Sequence, residues 1–207
     1  MSNTTFSNTD TGGKPADPYT RANKDTAVTT QDKFYALDKF VGTCKFGMLT
    51  TRDQNSGKLI SRCMAVAAEE NNGVDYLFFT NTESHKTDEL KSDPHVNIAF
   101  LDSSGQWASV AGTASIETDR GLVKKYYNPT LKAWMGDLGD GTHDGSENDP
   151  RIGIIRVKMT TATYAITDRT ILGRVAEVAK GIVTGEQANV NKIREITEDE
   201  VKARRSA

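Results

Sequence analysis

The chain changes its hydrophobic rhythm several times, and each change predicts an element. Between Asp32 and Thr43 large apolar residues recur at Phe34, Leu37 and Phe40 or Val41, and Cys44 continues the stripe; this is the spacing of a helix with one buried face. From Lys45 to Thr51, and again from Leu59 to Ala68, the pattern reads as strand, with Asn55, Ser56 and Gly57 supplying a turn between them. In the second strand Arg62, Met64 and Val66 fall on one face and Ser61, Cys63 and Ala65 on the other. Asn71-Asn72-Gly73 reads as a hairpin turn, and Tyr76 to Phe79 resume as an aromatic and aliphatic strand. Val96, Ile98 and Phe100 then alternate with His95, Asn97 and Ala99, and Ser103-Ser104-Gly105 makes the next turn. In the long strand from Gln106 to Glu117, Trp107, Ser109, Ala111 and Thr113 face one way, and Ala108, Val110, Gly112 and Ala114 the other. A glycine inside such a strand marks a bulge, a bend or a close approach. Arg151 to Met159 and Thr160 to Thr167 bring the predicted strands to seven. Hairpin-spaced strands, none followed by G-x-G-x-x-G, predict a mainly β, antiparallel sheet closed into a barrel with peripheral helices, not a Rossmann-type sheet.

The ends and one internal stretch differ from this core. Residues 1–29 are rich in Ser, Thr, Asn, Asp and Gly and almost lack large apolar side chains, so they are expected to be a disordered arm or an extended wrap. Asp119 to Lys132 returns to helical spacing, broken at Asn128-Pro129, with Leu122, Val123, Tyr126, Leu131 and Trp134 as its stripe. Gly136 to Asp149 is dense in Gly and Asp; it lacks the EF-hand glutamate and reads as a solvated loop. After a barrel domain over 30–168, residues 169–207 are expected to form a helical extension. There Ile171, Leu172, Val175, Val178, Ala179 and Ile182 mark one face, Arg174, Glu177 and Lys180 the other, and the helix is expected to dock on the body. Thr197 and Glu200 form a capping box for a last short helix.

Composition narrows the class. A net charge of −2 over 207 residues offers no broad basic field, so nucleic acid is not an expected partner. No apolar run reaches the roughly 20 residues of a membrane helix, and no secretory signal is visible, so no integral membrane segment and a cytoplasmic location are expected. Two cysteines, Cys44 and Cys63, suit reduced thiols, and the three histidines show no metal-ligand spacing.

The richest chemistry lies in YLFFTNTESHK, Tyr76 to Lys86, where a strand breaks into Thr80, Asn81, Thr82 and Ser84 before a short helix. A helix start carries N–H groups without intrahelical partners and a partial positive charge, which favour an anion such as phosphate. Hairpin pairing across Asn71-Asn72-Gly73, with opposed residue numbers summing to roughly 144 or 145, sets Arg62 across from Thr82 or Glu83. Arg62 and Lys86 could then converge on one anion. The same residues also fit an ordinary strand-to-helix turn, with a surface lysine and an Arg62–Glu83 ion pair.

SRCMAVAAE, YLFFTNTESHK, SDPHVNIAFLD and QWASVAGTASI together resemble the flavin-binding core of the pyridoxamine 5'-phosphate oxidase-like family, the FMN-binding split barrels. The resemblance covers about Asp32 to Thr167 and comes nearest to the general-stress-protein branch and its fungal blue-light-induced members. It implies an FMN-binding split β-barrel with FMN as cofactor, whose phosphate is held by Arg62, Ser84 and Lys86. His85 stands where many members have arginine. Phe79 and Thr80 would run beside the flavin, Cys63 and Met64, directly after the arginine, would also bind the cofactor, and Trp107 would lie close to the isoalloxazine. Tyr127 and Trp134 would approach the flavin of a partner subunit, since the family's flavin sits near a homodimer interface. True oxidases of the family carry a lysine where this chain has Ala67, and other substrate groups absent from YYNPTLKAWMGD and ATYAITDRT. The expected function is therefore an FMN-dependent oxidoreductase acting on an unknown small-molecule redox partner, with a stress-related role and no pyridoxamine-phosphate oxidase activity. The alternative is a non-catalytic flavin-binding or flavin-sensing stress protein; heme or a deazaflavin is a third reading of the same barrel.

Overall fold

The computed structural model describes residues 18–167 and 171–207. Residues 1–17, most of the expected N-terminal arm, and 168–170, which hold the expected barrel–extension boundary, lie outside them. From Pro18 the described arm begins as a short helix, α1 (Pro18–Asn23), and then lies along the body, with Lys24 bridged to Ile193 and the Asp25 N–H donating to the Ile193 carbonyl. Buried Asn23 fastens it, accepting from the Val190 and Asn191 N–H groups and donating to the Ala188 carbonyl. Thr29 then caps α2 (Thr30–Cys44), its hydroxyl accepting from the Asp32 N–H. The predicted stripe of Phe34, Leu37, Phe40 and Val41 is buried and joins the main core with Tyr76, Phe78, Ile98, Phe100 and Val110.

Eight antiparallel strands follow: β1 (Phe46–Arg52), β2 (Leu59–Ala65), β3 (Ala68–Glu70), β4 (Asp75–Asn81), β5 (His95–Leu101), β6 (Trp107–Glu117), β7 (Ile152–Ile166) and β8 (Lys192–Ile196). Their order is β2-β1-β5-β6-β7-β4-β3, with β8 also on β7. Only Val66 and Ala67 separate β2 from β3, so the two ends of this path are one stretch of chain and the sheet curls back on itself. The Val66 N–H bonds the Lys45 carbonyl while the next N–H, of Ala67, bonds the Leu77 carbonyl. The chain changes partners at that point. The expected hairpin register holds for β3, where Ala68 faces Leu77, but not for β2: Arg62 lies opposite Leu49 of β1, not Thr82 or Glu83.

Two further expectations are corrected. Residues 152–166 form one 15-residue strand, not two. The apparent joint is a bulge at Thr160: Ala111 pairs with Thr161 but Gly112 with Met159. A Cβ on Gly112 would stand 2.3 Å from the Lys158 carbonyl oxygen, so this close approach requires glycine. The tail is not purely helical either. Ile193 and Ile196 are buried, and β8 completes the sheet between the helices α6 (Ile171–Thr184) and α7 (Glu198–Arg205). The capping box is present as expected, with Thr197 and Glu200 bonded reciprocally.

Candidate functional site

The junction after β4 continues into α3 (His85–Ser92). The Asn81 side chain accepts from the Glu83 N–H, and its carbonyl accepts from both the Ser84 N–H and the Ser84 hydroxyl. Thr87 closes the first turn, its hydroxyl donating to the Thr82 and Ser84 carbonyls. Gly153 of β7 leaves room for this turn; a Cβ there would stand 2.6 Å from the Thr82 methyl. Arg151, the residue that starts the segment, accepts the Thr82 N–H at its carbonyl and pairs through its side chain with buried Asp149 at 2.6 Å. The pair ties the Gly- and Asp-rich loop to the junction.

Half-buried Lys86 donates from Nζ to the Ser84 hydroxyl at 2.9 Å and the Thr80 hydroxyl at 3.2 Å. Among the described residues no carboxylate lies within ion-pair distance of it. Burial lowers its pKa from the ordinary lysine value, and neighbouring Arg62 lowers it further. Glu89 opposes the shift, and an anion bound there would likewise favour the charged form.

Arg62 arrives from β2 on the same side as Leu49. It forks onto Glu89 with two hydrogen bonds of 2.8 Å and donates to the Thr51 hydroxyl at 2.9 Å. Glu89 is fully buried, and the Arg62 hydrogen bonds hold its carboxyl below the usual range. Three of the five N–H bonds of a guanidinium are thereby spent. The expected Glu83 partner is replaced by Glu89, and the expected meeting of Arg62 with the junction comes about through α3 rather than through strand pairing. Neither Glu89 nor Thr51 stood out in the sequence: a glutamate on a short polar helix reads as solvated. His85 bonds Asp53 at 3.2 Å and comes within 3.8 Å of Glu89. Asp53 itself is drawn down to about 2, first by the Ser56 hydroxyl. Asp53, His85 and Glu89 each place a potential ligand atom within 4.8 Å of the others. Arg62 already holds both Glu89 oxygens, and two adjacent cations oppose a further positive charge.

Arg62, Thr80, Ser84, His85 and Lys86 thus come together, with Met64 alongside the main core. The other expected site residues lie elsewhere. Cys63 is exposed on the opposite face of β2 from Arg62. Phe79 packs in a second cluster with Leu77, Val123, Ile152 and Ile154. Trp107 lies opposite Leu101 on the outer face of the sheet. Trp134, on the single turn α5 (Lys132–Met135), does not continue the stripe of α4 (Arg120–Tyr126); it is 86% exposed, while Val123 is buried. Tyr127 bonds the Gly145 carbonyl.

That outer face has an apolar half. Pairing sets Ala65 beside Phe46, Cys63 beside Met48 and Met48 beside Ala99, and Leu101 adjoins Trp107. Phe46, Met48 and Leu101 are exposed.

Comparison with known proteins agrees with this fold. Residues 32–189 match the model of the family described as "Pyridoxamine 5'-phosphate oxidase like". The chain is 62% identical over 208 residues to "Protein bli-3" of Neurospora crassa, with both chains fully covered. A crystal structure of a protein related to general stress protein 26, from Clostridium acetobutylicum, shares the fold with a TM-score of 0.58 at 16% identity, covering 84% of this chain and 99% of that one. The general stress FMN/FAD-binding protein of Xanthomonas citri superposes with a TM-score of 0.56 at 21% identity, covering 68% and 93%. With a family match over most of its length and a full-length relative at 62% identity, the chain belongs to the pyridoxamine 5'-phosphate oxidase-like family of split barrels.

Proposed function

We propose that this protein binds FMN, with the phosphate at the β4–α3 junction, and works as a flavin-dependent oxidoreductase of stress-related role on a small-molecule redox partner. The carrying observation is Lys86: a half-buried cation held by two hydroxyls and by no carboxylate among the described residues. Lys86 supplies the point charge, the Ser84 and Thr80 hydroxyls add hydrogen bonds, and Arg62 contributes its field and its unspent N–H groups. Glu89 positions Arg62 and keeps its fork from swinging out. A bound flavin would itself supply the electron transfer, so the protein's part is binding, orientation and tuning. The Xanthomonas citri neighbour, a general stress FMN/FAD-binding protein, supports a flavin in this fold. The apolar outer face around Phe46, Met48 and Leu101 supports a homodimer with the flavin near its interface.

A visible absorption spectrum of the purified protein tests the cofactor: flavin bands support the reading, and a heme Soret band contradicts it. Turnover of the bound flavin by a reduced nicotinamide and then by an acceptor supports the oxidoreductase. Flavin that stays oxidised under the same conditions favours a holding or sensing role.

A further inference from the structure

The helix α6 lies on the body the wrong way round for a helix that only docks. Its covered side is formed by Gly173, Arg174, Glu177 and Gly181. Arg174 donates to the Ser104 carbonyl in the β5–β6 turn, and Glu177 accepts from the Asn189 N–H. At Gly181 a Cβ would stand 2.7 Å from the Glu186 carbonyl, so the helix sits hard against the segment that follows it. Its apolar side faces out: Leu172 is 82% exposed, Val175 62%, Val178 47%, Ile182 80% and Val183 85%. The expectation that this face packs on the protein is thus reversed, and five large aliphatic side chains are left in water.

We propose that a second copy of this chain covers the outward face of α6, as an extension of the homodimer proposed above, on which this inference rests. Continuity is the first argument. Ser104, where Arg174 anchors the helix, follows Leu101 by three residues, and Leu101 ends the exposed apolar rows of the sheet. Between helix and turn lies a groove of about 420 Å³, lined by Ser104, Gly105, Val175, Val178 and Val190 among others, which can receive side chains from a partner. Area is the second argument. The five α6 side chains with Phe46, Met48 and Leu101 are each 41–85% exposed. Together they offer on the order of 1,000 Å², against the ~800 Å² that each partner buries in a standard interface. A typical monomer's largest apolar patch is roughly half that size. Charge is the third. A helix that lies on lipid presents a Lys- and Arg-rich polar side. Here Arg174 is spent on Ser104 and Lys180 pairs with Glu186 at 2.9 Å, while Glu177 is acidic. That balance suits a protein surface.

The test combines sedimentation velocity of the full chain over a wide concentration range with a photo-crosslinking side chain at Ile182. Wild type should be a dimer, Val178→Asp with Ile182→Asp should weaken dimerisation about ten-fold or more, and the probe at Ile182 should join two copies. A wild-type monomer at every concentration would remove the dimer reading and this inference with it. A wild-type dimer that the double variant leaves unchanged, with crosslinks only within one chain, would overturn the α6 contact and leave the dimer reading standing. Flotation of wild type with phosphatidylcholine–phosphatidylserine vesicles, lost in the double variant, would assign the face to lipid and overturn it too.

Discussion

Two clusters of basic side chains sit on this barrel with opposite charge economy. At one, Arg156 reaches Glu117 at 2.6 Å, Glu70 at 2.8 Å and Asp75 at 3.3 Å; Lys125 adds to Glu70, and Arg205 to Asp75. Every cation there touches a carboxylate. At the other, Arg62 is matched by Glu89, but Lys86 rests on two hydroxyls. The same residue types build a closed structural knot in one place and a site with an unspent charge in the other. What separates them is whether each cation has its own acid, not how many cations gather. Adjacent glutamates on β3 make the same point from the acidic side. Glu70 is drawn down to about 2, first by the Tyr126 hydroxyl and then by Lys125 and Arg156, while burial pushes its neighbour Glu69 up to about 7.

Removing the arginines should have the largest effect at both clusters. Arg62→Ala strands fully buried Glu89, whereas Arg156→Ala leaves fully buried Asp75 to Arg205 alone. Arg62→Ala should cost roughly 3–5 kcal/mol of stability in denaturant melts, because an uncompensated charge stays inside, and Arg156→Ala should cost less, because Arg205 still neutralises Asp75. Adding Glu89→Gln to Arg62→Ala should recover part of the loss; no recovery would mean that Glu89 is not what Arg62 neutralises.

The unpaired acids should show in the pH dependence. Burial pushes Asp38 up to about 6, and Glu69 beside it reaches about 7. Folded protein therefore binds these protons more tightly than unfolded chain. Their contribution is fully present below the ordinary carboxylate range and is lost as pH rises through about 6 and then about 7. The drawn-down acids Asp53, Glu70 and Asp149 act oppositely, losing their contribution as pH falls toward about 2. Thermal melts should therefore fall between about pH 5 and pH 8, and Asp38→Asn should flatten that slope. A slope that Asp38→Asn leaves untouched would place the protons elsewhere.

The smallest stability effect is expected at the site itself. Lys86 has burial and Arg62 against it, and the two hydroxyls and the field of Glu89 for it, so Lys86→Ala should change stability by no more than about 1 kcal/mol. A loss as large as that of Arg62→Ala would show that Lys86 is part of the scaffold.

Much of this architecture was legible in the chain. The stripe of α2, the Asn71–Gly73 turn, the capping box at Thr197 and the gathering of Thr80, Ser84 and Lys86 all follow from local rules of spacing and capping. What was not legible depends on which neighbour an element meets. Period-two alternation says which face Arg62 shares but not that β2 leaves β4 for β1 at Val66. Polar letters on α3 do not reveal that Glu89 points inward to an arginine 27 residues earlier. The stripe on α6 is real, but helical spacing does not say which way it turns, and it faces out. Thr160 reads as a turn because a bulge and a joint have the same local composition.

On the proposed reading, the charge of Lys86 serves a phosphate. The most direct test is titration of the apo-protein with FMN and with riboflavin, which lacks the phosphate, followed by flavin fluorescence in wild type and in Lys86→Ala. Losing a hydrogen bond to a charged group costs roughly 1.5–3 kcal/mol, so FMN should bind the variant about ten- to a hundred-fold more weakly, while riboflavin affinity barely changes. Equal FMN affinity in the two proteins, or an equal loss for both ligands, would contradict a phosphate grip at this junction.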